Sequence, residues 1–195
     1  VADRVARAKK LVGAAGESVE PSIAKMMAAN PFAAWNSMLG PQGERWAPIH
    51  AIVPHSRAAK VFNALQDLFA REQETMERHG LFIGTLLSSV GAQAVVIEPC
   101  LYWPDSHNAF HVRTVDADHR QRIGCPGEHL EARAAADRLK RQIADVMRAN
   151  GAANLQLGKF YDYRAGRDPA ALALLDAIKA QLDPKGLMNP GVLAR

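Results

Sequence analysis

A chain of 195 residues, 48% of them hydrophobic, is long enough to bury a core, and its 23% of charged residues exclude disordered and fibrous classes. The net charge of +4 is spread along the chain, with small basic clusters at Arg4-Arg7-Lys9-Lys10 and His119-Arg120-Arg122 and no aromatic among them, which argues against nucleic acid as a partner. No apolar run approaches the roughly 20 residues that span a bilayer. The two cysteines, Cys100 and Cys125, do not make a secreted disulfide framework and suit free thiols in a cytoplasmic protein.

In chain order, Val1, Val5, Ala8, Leu11 and Val12 recur at helical spacing, and Gly13 and Gly16 end that helix. The first residues lack the apolar region of a signal peptide, and the chain does not start with Met, so a piece of something longer is expected. A short Met/Ala-rich stretch over 22–34 is followed by a turn at Gly40-Pro41-Gln42-Gly43. Residues 47–53 predict a strand buried on both faces. Ser56 is placed to cap a helix running to His79, with Val61, Phe62, Leu65, Leu68 and Phe69 inward and Gly80 in the left-handed cap role. Strands are expected over 81–90 and 94–103, broken at Gly91, with Pro99 marking an edge or a bulge. Residues 110–115 are read as an extension of the sheet. A long helix over 126–150 has Leu130, Ala134, Leu139, Ile143, Val146 and Met147 as its stripe. A last strand over 154–160 and a closing helix over 169–182 complete the order. From about 47 to 160 the elements run βαββαβ, which predicts an α+β, ferredoxin-like antiparallel sheet with helices 56–79 and 128–150 on one face. Residues 1–45 form an N-terminal helical extension and residues 46–195 the domain proper.

Self-sufficient catalytic motifs are missing from the sequence. There is no G-x-G-x-x-G after a strand and no Walker loop, and Gly13 to Gly16 follows a helix. Cys100/Cys125 and His107/His111 lack metal spacing, so no metal is expected. Gly127-Glu128-His129 carries part of a GEHG metal motif, but Leu130 follows, and Glu128 reads as a dipole-favoured residue at a helix start. Two stretches stand out. In Glu44 to His55, Trp46 and His50 bracket the first strand, and a hydrogen-bonded core histidine is the plainer reading of His50. In Gln156 to Arg164, Lys159, Tyr161, Tyr163 and Arg164 gather at the end of the last strand. A phenol beside a guanidinium offers two donors to a substrate oxyanion. The plainer reading there is a polar loop lying over the core.

The tail, KAQLDPKGLMNPGVLAR, has hard turns at Asp183-Pro184-Lys185-Gly186 and Asn189-Pro190-Gly191, which fold it back on itself. With WAPIHAIVPHS, LFIGTLLSSV and KFYDYR, it resembles in order the C-terminal cap (substrate) domain of FAD-linked oxidases of the vanillyl-alcohol oxidase and 4-cresol dehydrogenase type. The likeness covers about 40–195. It implies an FAD-dependent oxidoreductase that passes a hydride from a small alcohol or alkylphenol to flavin, with FAD held mostly by a separate N-terminal PCMH-type domain that nothing in this chain resembles. By the same likeness Tyr163 and Arg164 polarise the substrate oxygen, while Trp46, His50, Glu98, Tyr102, Lys159, Tyr161 and Asn189 line the substrate and cofactor. Some members tether flavin through a histidine near residues 91–96; here that stretch is GAQAVV, so FAD is expected to be non-covalent. A homo-oligomer is compatible with this reading. The competing readings are the cap of a D-2-hydroxyacid dehydrogenase, with Arg164 on a carboxylate, and a non-catalytic ferredoxin-like module that binds a small ligand.

Overall fold

A computed structural model describes residues 2–16, 19–20, 25, 28–32, 35–154, 156 and 158–193. The chain divides into two units, Val1–Trp35 and Asn36–Arg195. In the first, helix α1 spans Ala2–Val12, as its spacing predicts, and buries none of its residues. Part of the Met/Ala-rich stretch lies outside the described residues.

The second unit is built on an antiparallel sheet. Strands β1 (Arg45–Pro48) and β2 (Ala51–Pro54) are one predicted strand interrupted at Ile49 and His50. They are followed by helix α2 (His55–His79), strand β3 (Phe82–Val90) and strand β4 (Ala94–Trp103). Both β1 and β2 pair with one edge of β4, and β3 pairs with the other. Pro99 therefore lies in a central strand, opposite the interruption, where its carbonyl accepts from the Ile49 amide at 2.9 Å. A proline is tolerated there because the ladder is already broken on that side.

The fourth rank of the sheet is a remnant. Ala153 bridges Ile52, and none of the described residues over 154–160 is in a strand; residues 155 and 157 lie outside the described residues. The strand order is nevertheless the ferredoxin-like one, with the remnant beside β2, then β4, then β3, all antiparallel. The remnant is short because side chains, not a ladder, satisfy the broken strand.

Two helices cover one sheet face. Helix α5 (Leu130–Ala149) runs alongside α2, and the core forms where Ile49, Ala51, Val53, Ile97 and Leu101 meet Val61, Leu65 and Leu68 of α2 and Leu139, Ile143 and Met147 of α5. The early part of the α5 stripe differs from expectation. Ala132, Ala135 and Ala136 are buried, while Leu130 is exposed and Ala134 faces out. Counting back from Leu139 and Ile143 at three- and four-residue steps lands on the alanines, whose small side chains let the helix approach closely. Helix α2 begins at His55 without a side-chain cap, so Ser56 is not its N-cap; Gly80 closes it at φ +67° as expected.

Residues 110–115 do not extend the sheet. They form helix α3 (Ala109–Thr114), because the Asn108 side chain caps the Phe110 and His111 amides and His111 answers to the Asn108 amide. Helix α4 (Ala117–Ile123) follows, and helix α6 (Pro169–Leu182) starts at the Asp168 cap with Pro169 in its first turn. Cys125 is exposed and Cys100 half-buried.

Candidate functional site on the open sheet face

Residues alternate across the sheet, so the partners of the buried Ile97 and Leu101 point away from the helices. Register fixes which they are. Trp46 and Phe82 flank Tyr102, Pro48 and Gly84 flank Cys100, and Leu86 lies beside Glu98. The Phe82 and Tyr102 rings stack with centroids 4.7 Å apart and planes 4° from parallel. A side chain added at Gly84 would meet no atom within 4 Å, so the face is open above Cys100. The result is a shelf with an aromatic wall at one end and Glu98 and Leu86 at the other. The Cys100 sulfur is 3.8 Å from Glu98 Oε1. Burial raises the Cys100 thiol; Trp46 works against that and the Glu98 charge adds to it, so the thiol stays protonated. Burial, then Cys100 and Glu44, raises the Tyr102 phenol.

The predicted residues Trp46, Glu98 and Tyr102 thus share one surface. Phe82, Cys100 and Gly84 join them and were not singled out from sequence. Their signal was present in the hairpin register about Gly91, which sets Phe82 and Gly84 beside Tyr102 and Cys100.

His50 is 5% exposed and sits in the interruption between β1 and β2. Its amide donates to the Tyr161 hydroxyl at 3.0 Å, and its carbonyl accepts from the Asn154 side chain at 2.9 Å. The two rings meet edge to face at 5.4 Å. His50 is therefore a core histidine whose backbone is satisfied from the C-terminal segment, and its Nε2 has no protein partner among the described residues. Burial raises the Tyr161 phenol, the His50 amide bond opposes this, and the nearby Glu98 charge adds to it. Tyr161 is thus a neutral hydroxyl joining the tail segment to the sheet.

Tyr163 and Arg164 turn to different partners. The Tyr163 ring lies under Arg167, whose Cζ is 4.4 Å from its centroid. The Arg164 guanidinium makes a two-pronged ion pair with Asp176 at 2.9 and 2.7 Å and reaches the Leu193 carbonyl at 3.3 Å. That pairing raises the Arg164 pKa and lowers that of Asp176. Arg164 and Asn189 line a cavity of about 250 Å³ between α6 and the folded tail, with Leu175, Lys179 and Met188. The Lys159 ammonium lies nearby, 3.9 Å from where a side chain on Gly191 would begin. The predicted site residues therefore fall into two groups, one on the sheet face and one in the tail.

Asp183 makes the tail fold. Its two carboxylate oxygens accept from the Leu187 and Met188 amides at 2.8 and 2.9 Å, and Lys179 pairs with it while donating to the Met188 carbonyl at 2.7 Å. The Lys179 contact first, and then the two amides, outweigh desolvation and lower the carboxyl's pKa.

A second polar node holds the β4 end in place. Asp105 is fully buried and accepts from Arg133 at 2.6 and 2.8 Å, from the Ser106 amide at 2.8 Å and from the His129 amide at 3.2 Å, with Arg45 3.3 Å away. His129 caps α5 by accepting the Ala132 amide at 3.3 Å, and Glu128 reaches Arg133, so the fragment of a metal motif works here as a helix start. Among the described residues no cluster of three or more His, Cys, Asp or Glu is placed to hold a metal, and no helix is long and apolar enough to cross a membrane.

Residues 157–193 match the family described as FAD linked oxidases, C-terminal domain. The matched stretch contains Tyr161, Arg164, α6 and the Asp183 turn. No curated protein and no solved structure matches the chain. The match supports an FAD-linked oxidoreductase C-terminal domain, which implies FAD as cofactor and an N-terminal FAD-binding domain as partner.

Proposed function

We propose that this chain is the substrate-covering domain of an FAD-dependent oxidoreductase acting on a small alcohol or alkylphenol, in a cytoplasmic protein whose PCMH-type domain holds most of the FAD. The observation that carries the reading is that the family-matched segment is bonded through Tyr161 into a sheet whose other face carries aromatic rings and open space at Gly84. A planar ring system fits such a face: Trp46, Tyr102 and Phe82 offer ring surface, and Gly84 leaves room for close approach. Bound non-covalently, FAD supplies the hydride acceptor. Glu98 is the carboxylate on the shelf and takes the proton of the substrate hydroxyl. Cys100, held protonated, supplies packing and a weak donor. His50 and Tyr161 fix the strand from which the shelf is hung, and Lys159 and Asn189 belong to the folded tail.

Arg164 is assigned to fastening the tail, because its guanidinium is already engaged by Asp176. The same engagement weighs against a D-2-hydroxyacid substrate, whose carboxylate would need that charge. Tyr163, occupied with Arg167, likewise orders the loop.

The test is anaerobic single-turnover flavin reduction in the full-length enzyme, together with FAD titration of this chain alone. Alkylphenols should reduce the flavin. Glu98→Gln should slow that step by roughly 100-fold or more, the usual worth of a positioned general base. Arg164→Lys should stay near the wild-type rate. The isolated chain should bind FAD weakly, since it has no phosphate-cradling loop in its sequence. Stoichiometric tight FAD on this chain, or a Glu98→Gln rate within about twofold of wild type, would overturn the reading.

A further inference from the structure

The outer edge of β3 is unpaired among the described residues. Among the described residues, no backbone group of Phe82–Val90 bonds on the side away from β4. Eight of its nine residues are exposed, and the sequence FIGTLLSSV contains no charge and no proline. At about 3.4 Å per residue this is an edge some 30 Å long. Proteins that keep such an edge to themselves blunt it with lysine, proline or a bulge, or cover it. Here β3 pairs with β4 without a bulge over its whole length. Apolar side chains stand on both faces of the strand: Phe82, Leu86 and Val90 at 40%, 50% and 39% exposure on one, and Leu87 at 57% on the other.

We propose that β3 is a self-association edge, at which two copies of the chain pair β3 against β3, antiparallel, about a two-fold axis at Leu86, to form one continuous sheet. The strand fits its own copy. With Leu86 opposite Leu86, Phe82 faces Val90, Ile83 faces Ser89, Gly84 faces Ser88 and Thr85 faces Leu87. An aromatic meets a β-branched residue and no like charges are opposed. A charge at position 86, on the axis, would confront its equivalent, and the uncharged strand avoids this. The turn residues beyond the strand, Gly91 and Ala92, come opposite Leu81 and Gly80 and add no charge. The inference does not depend on the flavin reading, since it concerns only the sheet edge.

Sedimentation velocity over a range of protein concentrations tests it. The wild-type chain should show a reversible species of twice the 21.2 kDa monomer mass and nothing larger, because a two-fold edge closes on itself. Leu86→Lys and Leu86→Asp place like charges face to face and should each sediment as monomers. An equimolar mixture of the two should recover the dimer, which also shows that both variants are folded. A wild-type chain that stays monomeric overturns the proposal, as does open-ended growth. So does a Leu86→Lys variant that still dimerises, or a mixture that fails to pair while both variants melt cooperatively.

Discussion

Replacing Asp105 by asparagine removes one charge from the node that joins β1, β4 and the start of α5. The carboxylate has no solvent exposure and takes four N–H donors, two of them from Arg133, with Arg45 at 3.3 Å. Burial by itself would raise its pKa. The Arg133 bonds, the His129 and Ser106 amides and the Arg45 charge overturn that and hold the carboxyl well below the usual range. Asparagine keeps the shape but turns an NH₂ toward donors, takes the counter-charge from Arg45 and leaves Arg133 with Glu128 alone, 3.4 Å away. Removing one partner of a buried ion pair costs about 3–5 kcal/mol. The Arg133 side chain is 33% exposed, so water takes up part of its charge and the lower end, about 3 kcal/mol, applies. For a chain of this length that is a fall in Tm of about 6–12 °C. The sign of the pH dependence follows from the depressed pKa. The contribution is fully present above the unfolded carboxyl's range, near pH 4, and is lost progressively as pH falls toward the folded value. Melting followed by circular dichroism should therefore show a gap between wild type and Asp105→Asn that is widest near neutral pH and narrows below about pH 4. A gap under about 2 °C at neutral pH, or one that stays constant down to about pH 3, would refute the reasoning.

Tyr161→Phe should leave the buried His50 amide without its acceptor, at a cost of about 1–3 kcal/mol in chemical denaturation; an unchanged denaturation midpoint would mean the strand interruption is satisfied in some other way. Asp183→Ala should release the Leu187 and Met188 amides and open the tail, seen as faster tryptic cleavage after Lys185 with the rest of the domain still protected. Cleavage at the wild-type rate would show that the turns hold without that carboxylate.

Periodicity carried most of the fold. The α2 stripe, the β3–β4 hairpin and the Gly80 cap were all legible, because each is a local pattern with one dominant physical cause. The misses were of another kind. Residues 110–115 look like a strand by composition, and only the reciprocal Asn108–His111 cap, a contact between two polar side chains and three amides, turns them into helix α3. Over 154–160 none of the described residues is in the expected strand; Asn154 and Tyr161 reach the His50 backbone with their side chains instead. On the candidate site, Trp46, Glu98 and Tyr102 were named with four other residues by family likeness, and it is the strand register that sets these three on one face. Tyr163 and Arg164 were read as a pair because they adjoin in sequence, yet their partners, Arg167 and Asp176, lie on later elements that adjacency cannot reveal.

The plugged interruption at His50 bears on when this domain can be completed during synthesis. Its two closing bonds span 104 and 111 residues of sequence, and both come from the C-terminal side. The hairpin and helix α2 can form as the chain emerges, but the break beside the open face stays unsealed until residue 161 is free to reach it. Loop closure over such distances is slow compared with local pairing. A nascent chain halted before that point would carry most of the residues of the shelf on an unfinished scaffold, so the candidate site is complete only once residues 154 and 161 have docked.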